Sequence, residues 1–222
     1  MRFFKLISAT LLVLTLSHCG NKGTNSQMPK DNIKQNAGQL NKPNAQAAKK
    51  YSLKSGIIQF EKDGLAGKNK IKVFFDEFGT KERNETYNSK GNLEEIRFSD
   101  GRNMYLINFK FGEAKTAVIT GPGNYGTEMK FIAEPFNNET DKQKFNYFRL
   151  EEMNIAGKEC QAYSMKSPGT DVLYAGWNNI LLYSETNTPL GTIRIKATEI
   201  EENTKVDPAL FKVPEGYKVK TM

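Results

Sequence analysis

Glu94-Glu95-Ile96-Arg97-Phe98-Ser99-Asp100-Gly101-Arg102-Asn103-Met104-Tyr105-Leu106-Ile107-Asn108-Phe109 contains the clearest structural signal in the chain. Ile96 and Phe98 alternate with Glu95, Arg97 and Ser99, so one side of an extended segment is apolar and the other polar. Tyr105, Ile107, Phe109 and Phe111 repeat that period of two. Between the stripes stands Asp100-Gly101, a pair suited to a tight hairpin because glycine enters the left-handed region without strain. The pattern predicts strands over 94–99 and 103–111, joined as a hairpin.

The same alternation recurs on either side. Ile71, Val73 and Phe75 face away from Lys70 and Lys72, and Ile193 and Ile195 alternate with Thr192, Arg194 and Lys196. Turn chemistry at Asp63-Gly64, Phe78-Gly79, Lys90-Gly91-Asn92, Gly112 and Pro189-Leu190-Gly191 divides these stripes. Strands with one apolar side suit an antiparallel sheet. Helical signals are few. Cap-type residues at the start of 138–149, with Phe145 and Phe148 three apart, predict one helix. Asp207-Pro208-Ala209-Leu210-Phe211 predicts a short helical turn, with aspartate as the cap and proline at the first helical position. The fold class is α+β and mostly β, a meander of eight or more strands with one or two helices.

The first nineteen residues differ in kind. Arg2 and Lys5 precede an apolar run from Leu6 to Leu16, long enough for a signal-peptide core but too short to span a bilayer. The run ends Leu16-Ser17-His18-Cys19, resembling a bacterial lipobox, with His18 where a small residue is usual. The expected organisation is a signal peptide over 1–18, a lipidated amino terminus and basic tether over 19–50, and a domain over 51–222. Acyl chains on Cys19, including an amide-linked palmitate-type chain, would anchor the protein stably, since two or more chains hold where one does not. Gly20 and Asn21 lack the aspartate that resembles an inner-membrane retention signal, so an outer-membrane anchorage is expected.

Residues 20–50 carry six lysines against Asp31 alone and only Met28, Ile33 and Leu40 as large apolar groups. Such a segment cannot bury enough surface to offset its ordering entropy. The formal charge of +7 belongs to this segment and the signal; residues 51–222 hold equal numbers of basic and acidic groups. Without a basic stripe on the domain, nucleic acid is not an expected partner.

The single histidine is His18, inside the segment to be removed, and besides Cys19 the only cysteine is Cys160. The processed chain therefore has no Ser-His-Asp or Cys-His arrangement and no His/Cys zinc site. Cys160 is expected as a small buried apolar residue. Gly121-Pro122-Gly123-Asn124-Tyr125-Gly126 matches G-x-G-x-x-G, but without a βαβ setting it reads as a loop. The acidic pairs Asp76-Glu77, Glu94-Glu95, Glu151-Glu152 and Glu201-Glu202 are neighbours on extended chain and point apart, so they read as surface charge. No catalytic residue, metal site or cofactor is expected, and the chain reads as a non-enzyme. Phe75, Tyr105, Ile107, Phe109, Trp177, Leu181 and Tyr183 are the candidates to line an apolar site.

Three stretches in order resemble a family. They are 54–61 followed by 73–82; Ile155-Ala156-Gly157-Lys158-Glu159-Cys160-Gln161-Ala162-Tyr163 leading to Gly176-Trp177-Asn178-Asn179-Ile180-Leu181-Leu182-Tyr183-Ser184-Glu185; and Asp207 to Gly216. Together they resemble envelope proteins of unknown function related to the LolA/LolB lipoprotein-carrier superfamily. The resemblance implies a curved antiparallel sheet, about half a barrel, packed on one or two helices. It also implies a concave apolar face that binds an acyl chain or lipoprotein segment, and it supplies no catalytic residue. A monomeric, lipid-anchored domain facing the periplasm or cell surface is the resulting expectation. The alternative is a structural or interaction lipoprotein that binds another protein and no small ligand.

Overall fold

The computed structural model describes residues 49–222, apart from 66, 110–114, 123–128, 137 and 222. The strands are β1 (Gly56–Gly64), β2 (Gly67–Asp76), β3 (Lys81–Tyr87), β4 (Leu93–Asp100), β5 (Asn103–Asn108), β6 (Thr116–Pro122), β7 (Phe148–Arg149), β8 (Met153–Ile155), β9 (Lys158–Ser167), β10 (Thr170–Trp177), β11 (Ile180–Thr188), β12 (Gly191–Glu202) and β13 (Lys218–Thr221). They form one open, curved sheet in the order β13-β6-β5-β4-β3-β2-β1-β12-β11-β10-β9-β7, with β8 beside β9. All neighbours are antiparallel except β13, which runs parallel to β6. This is the half-barrel architecture that resemblance to the LolA/LolB superfamily implies.

The 94–109 reading holds at its centre. β4 and β5 form the hairpin, Phe98 lies opposite Tyr105, and Gly101 takes a φ of 92°. Asp100 Oδ1 accepts the amides of Arg102 and Asn103, both at 2.8 Å, which fixes the turn by a local side-chain bond. The strand stops at Asn108; Phe109 lies beyond it, and Phe111 and Gly112 fall outside the described residues. Most of the G-x-G-x-x-G stretch also falls outside them. Asp207 caps a 3-10 turn, Pro208–Phe211, by accepting the Ala209 amide at 2.9 Å, as the proline placement predicts.

The helix over 138–149 needs correction. Asn138 does cap it, but α1 spans only Glu139–Lys144, and Phe148 belongs to β7. With no residue of α1 buried, no apolar stripe holds further turns against the sheet. Two tight turns escaped the sequence pattern: Ala156-Gly157 and Asn178-Asn179 all have positive φ and join β8 to β9 and β10 to β11.

The sheet does not keep one apolar side throughout. Directly opposed residues share a face, so Phe75, Glu82, Ser99 and Met104 form one file, and Phe74, Arg83, Phe98 and Tyr105 form the next on the other face. On the first face Ile58, Phe60, Ile71, Val73 and Phe75 are buried with Tyr51, Met129, Ile155, Cys160, Ala162, Ala175, Ile180, Leu182 and Ala197. On the second face Ile96, Phe98, Ile107 and Ala117 are buried, with Tyr105, Val213 and Tyr217 against them. The apolar side changes across β3, whose sequence Lys-Glu-Arg-Asn-Glu-Thr-Tyr has no aliphatic stripe on either side.

β3 buries charge on both faces instead. On the first, Glu82 receives the Lys50 ammonium and, at 2.5 Å, the Tyr51 hydroxyl, while Asn84 donates to its other oxygen at 3.1 Å. Burial, reinforced by the Glu82 carboxylate, holds the Tyr51 phenol well above its ordinary pKa. On the second, Arg83 Nε donates to Glu85 at 2.7 Å and Tyr87 donates to the same carboxylate at 2.5 Å. Burial and the Glu85 carboxylate push Tyr87 up to about 12. Lys50, placed in the tether by composition, is thus buried in the packed domain.

The chain reaches β1 as a strap, residues 49–55, over the first face. The amides of Lys50 and Tyr51 both donate to Phe78 O at 2.9 Å, and the Phe78 amide donates to Lys54 O at 2.8 Å. Tyr51 meets Phe75 edge-on at 4.9 Å. Gly79 is required here, because its φ is 81° and a Cβ would come within 2.5 Å of the Tyr51 ring. At the far end of the sheet, Ala162 and Ala175 belong to the first core. Their neighbours Tyr163 and Tyr174 point the opposite way into an aromatic group with Phe131 and Tyr147. Cys160 is wholly buried, and burial pushes its thiol up to about 11, so it behaves as a small apolar residue.

Candidate functional site

The second face has a small core because β4 and β5 present few apolar side chains there. The segment after β12 crosses it and closes only part of the gap. The result is a cleft of about 350 Å³. Lys81, Phe98, Asp100 and Tyr105 form its floor and one wall; Pro208, Phe211, Lys212 and Val213 form its roof.

Phe98 and Tyr105 face each other across the β4–β5 hairpin and stack at 4.7 Å with an interplanar angle of 11°. Phe98 is only 1% exposed, so Tyr105 presents the flat apolar surface and Phe98 backs it from beneath. The Tyr105 hydroxyl donates to Asp100 Oδ2 at 3.1 Å and accepts from the Asn103 amide group at 3.5 Å. Partial burial pushes the Asp100 carboxyl up, but the Asn103 and Arg102 amides and the Tyr105 hydroxyl together outweigh it and hold it below its ordinary value. Burial, aided by Asp100 and opposed by Asn103, raises Tyr105. Near neutral pH Asp100 stays ionised and Tyr105 protonated, which suits a fixed polar rim and not proton exchange with a substrate.

The roof is tied to β3. Arg83 Nη1 donates to Leu210 O at 3.1 Å, and Arg83 is itself held by Glu85. Lys81 is bound to Glu77 at 2.6 Å and borders the cleft from the start of β3. Lys212 stands exposed on the roof. The chemistry on offer is an apolar platform flanked by lysines and one ionised carboxylate.

The sequence-derived candidates are divided among several places. Tyr105 lines the cleft, and Ile107 lies beside it in the second core. Phe75 is fully buried in the first core beneath Tyr51. Trp177 and Tyr183 pack at the margin of that core, Trp177 under the Lys158 ammonium at 4.9 Å and Tyr183 donating to Glu185 at 2.8 Å. Leu181 is half-buried, its amide donating to Met129 O at 2.8 Å. Phe109 is 37% exposed. Phe98, Asp100, Lys81 and the 208–213 roof were not foreseen. The Asp100-Gly101 turn contained a signal for one of them, because its register places Phe98 opposite Tyr105.

No family model and no curated protein matches the sequence. A crystal structure of an uncharacterized conserved protein from Thermus thermophilus is similar in fold. The TM-score is 0.51 at 9% identity, over 76% of this chain and 91% of that one. The MucA/MucB complex of Pseudomonas aeruginosa scores 0.46 at 10% identity, over 72% of this chain and 56% of that one, so this chain spans little more than half of that relative. A domain described as a putative outer membrane lipoprotein-sorting protein from Vibrio parahaemolyticus scores 0.30 at 7% identity, over 69% of this chain and 87% of that one. The first likeness is one of fold alone, and nothing about function follows from the other two.

Proposed function

We propose that this chain is a lipid-anchored envelope protein whose domain binds an amphipathic ligand without transforming it. The ligand's apolar part rests on the Phe98–Tyr105 stack. One observation supports this reading above others: the stack forms the floor of a cleft of about 350 Å³, within the size range of small-ligand pockets. Lys212 on the rim favours an anionic head, Lys81 being already paired with Glu77, which makes a fatty acid or acylated segment the fitting class. Anchoring through Cys19 after removal of residues 1–18, with the outer membrane as address, is part of the same proposal. So is a monomeric domain.

The test is native mass spectrometry of the full chain with Cys19→Ser, titrated with palmitate. A one-to-one adduct is expected, weakened about tenfold, or roughly 1.4 kcal/mol, by Tyr105→Ala. Lys212→Glu, a surface change that leaves packing intact, should weaken it as well. A chain that stays bare at every palmitate concentration overturns the proposal. The closed first core favours a second reading, in which a partner protein is bound and no small ligand. Val73, Phe75 and Leu182 there are 0% exposed, so the largest apolar surface is already occupied by the chain's own residues.

A further inference from the structure

Three hairpin turns lie side by side at the end of the sheet away from the strap. They are the β1–β2 turn with Leu65, the β11–β12 turn with Pro189-Leu190, and the β9–β10 turn with Pro168-Gly169. They touch: a Cβ on Gly191 would come within 2.7 Å of the Leu65 side chain, and one on Gly169 within 3.9 Å of Pro189. Turn tips usually carry Gly, Asn, Asp or Ser, which solvate easily. Here Leu65 is 60% and Leu190 78% exposed, the two most exposed large apolar residues of the described chain.

We infer that these tips are a lipid-docking surface: Leu65 and Leu190 insert together into the membrane that carries the anchor. The inference rests on the lipid-anchor reading of Cys19. Two side chains cannot supply the roughly 1,000 Å² that a stable protein interface needs. They do suffice for a bilayer already held close, because a tether replaces association from bulk solution by a local encounter at high effective concentration. Each leucine removed from water favours the docked state. The lengths agree as well. The tether expected from composition over 20–50, which lies outside the described residues up to 48, would span about 30 Å as flexible chain. β1, nine residues long, separates the strap end from the tip end by about 30 Å. A domain standing tips-down therefore keeps the tether near its relaxed length. Behind the tips Lys62, Lys68, Lys166 and Arg194 are nearly balanced by Asp63, Asp171 and Glu185, so docking depends on the leucines more than on anionic lipid.

The chain's sole tryptophan provides a control, since Trp177 sits at the strap end of β10. The lipidated full chain is purified from membranes and reconstituted in phosphatidylethanolamine–phosphatidylglycerol vesicles containing brominated phosphatidylcholine. In Trp177→Phe/Leu190→Trp most of the tryptophan emission should be lost to bromine quenching, with a blue shift. In the unsubstituted chain Trp177 should keep its emission, and adding Leu65→Asp to the reporter should restore most of the quenched signal. A reporter that floats with the vesicles but is not quenched overturns docking while leaving the anchor intact. Quenching of both tryptophans overturns the tips-down orientation. A chain absent from the vesicle fraction overturns the anchor reading and docking with it.

Discussion

The two faces of the sheet solve one packing problem with different materials. The first gathers fourteen buried residues from strands at both ends of the chain, and the strap seals it. The second gathers four in its cluster, and a carboxy-terminal segment held by a buried arginine covers it only in part. Side chains on the well-filled side reach 0% exposure, while the sparsely filled side leaves a cleft. The proposed binding site therefore lies where the hydrophobic supply is short.

The largest expected effect tests whether the two cores differ in weight. Phe75→Ala should cost about 4 kcal/mol, read from the urea midpoint, because a ring in a filled core leaves a cavity that cannot collapse. Ile107→Ala in the second core should cost about 2 kcal/mol, since the adjoining cleft lets neighbours relax. Equal losses would erase the distinction. Next in size is Glu82→Ala, expected to cost about 3 kcal/mol by leaving the Lys50 ammonium buried without its partner. The paired change Glu82→Leu with Lys50→Met should recover only the share due to the unpaired ammonium, because the Tyr51 hydroxyl and the Asn84 amide lose their acceptor too; full recovery would show that those two bonds add nothing.

The smallest effect concerns Asp100. Its carboxyl is held below the unfolded value, so its contribution to stability is complete above about pH 4 and fades as pH falls through the folded pKa. Asp100→Asn should lower the neutral plateau slightly and leave the strongly acid end almost unmoved, so that the acid limb between them flattens. An unchanged acid limb would mean that the turn bonds at Asp100 do not favour the charged form.

Much of this fold was legible in the sequence, and what was not has a physical cause. Period two shows which residues of one strand share a side, but relates strands only where apolar stripes lie opposite one another. β3 has no such stripe, so the change of face between Phe75 and Phe98 left no mark in the pattern. Nothing in that sequence marks its charges as buried, yet Glu82, Arg83 and Glu85 are buried because each finds a partner on its own face. The Asp100-Gly101 hairpin and the Asp207-Pro208 cap were visible because both are set locally by backbone preference. The cleft was half visible. Tyr105 stood out as an apolar stripe residue, whereas its roof is brought in by a long crossing that no local pattern encodes.

The middle of the sheet joins its beginning to its end: β1 lies between β2 and β12, and Gly56 is opposite Glu202. Two runs of local hairpins, β1 to β6 and β9 to β12, can zip early, but the seam between them closes only after almost the whole chain has been made. Long-range strand pairing of this kind raises contact order and slows folding. The two runs of hairpins therefore stay unjoined until β12, the last long strand, is available to pair with β1.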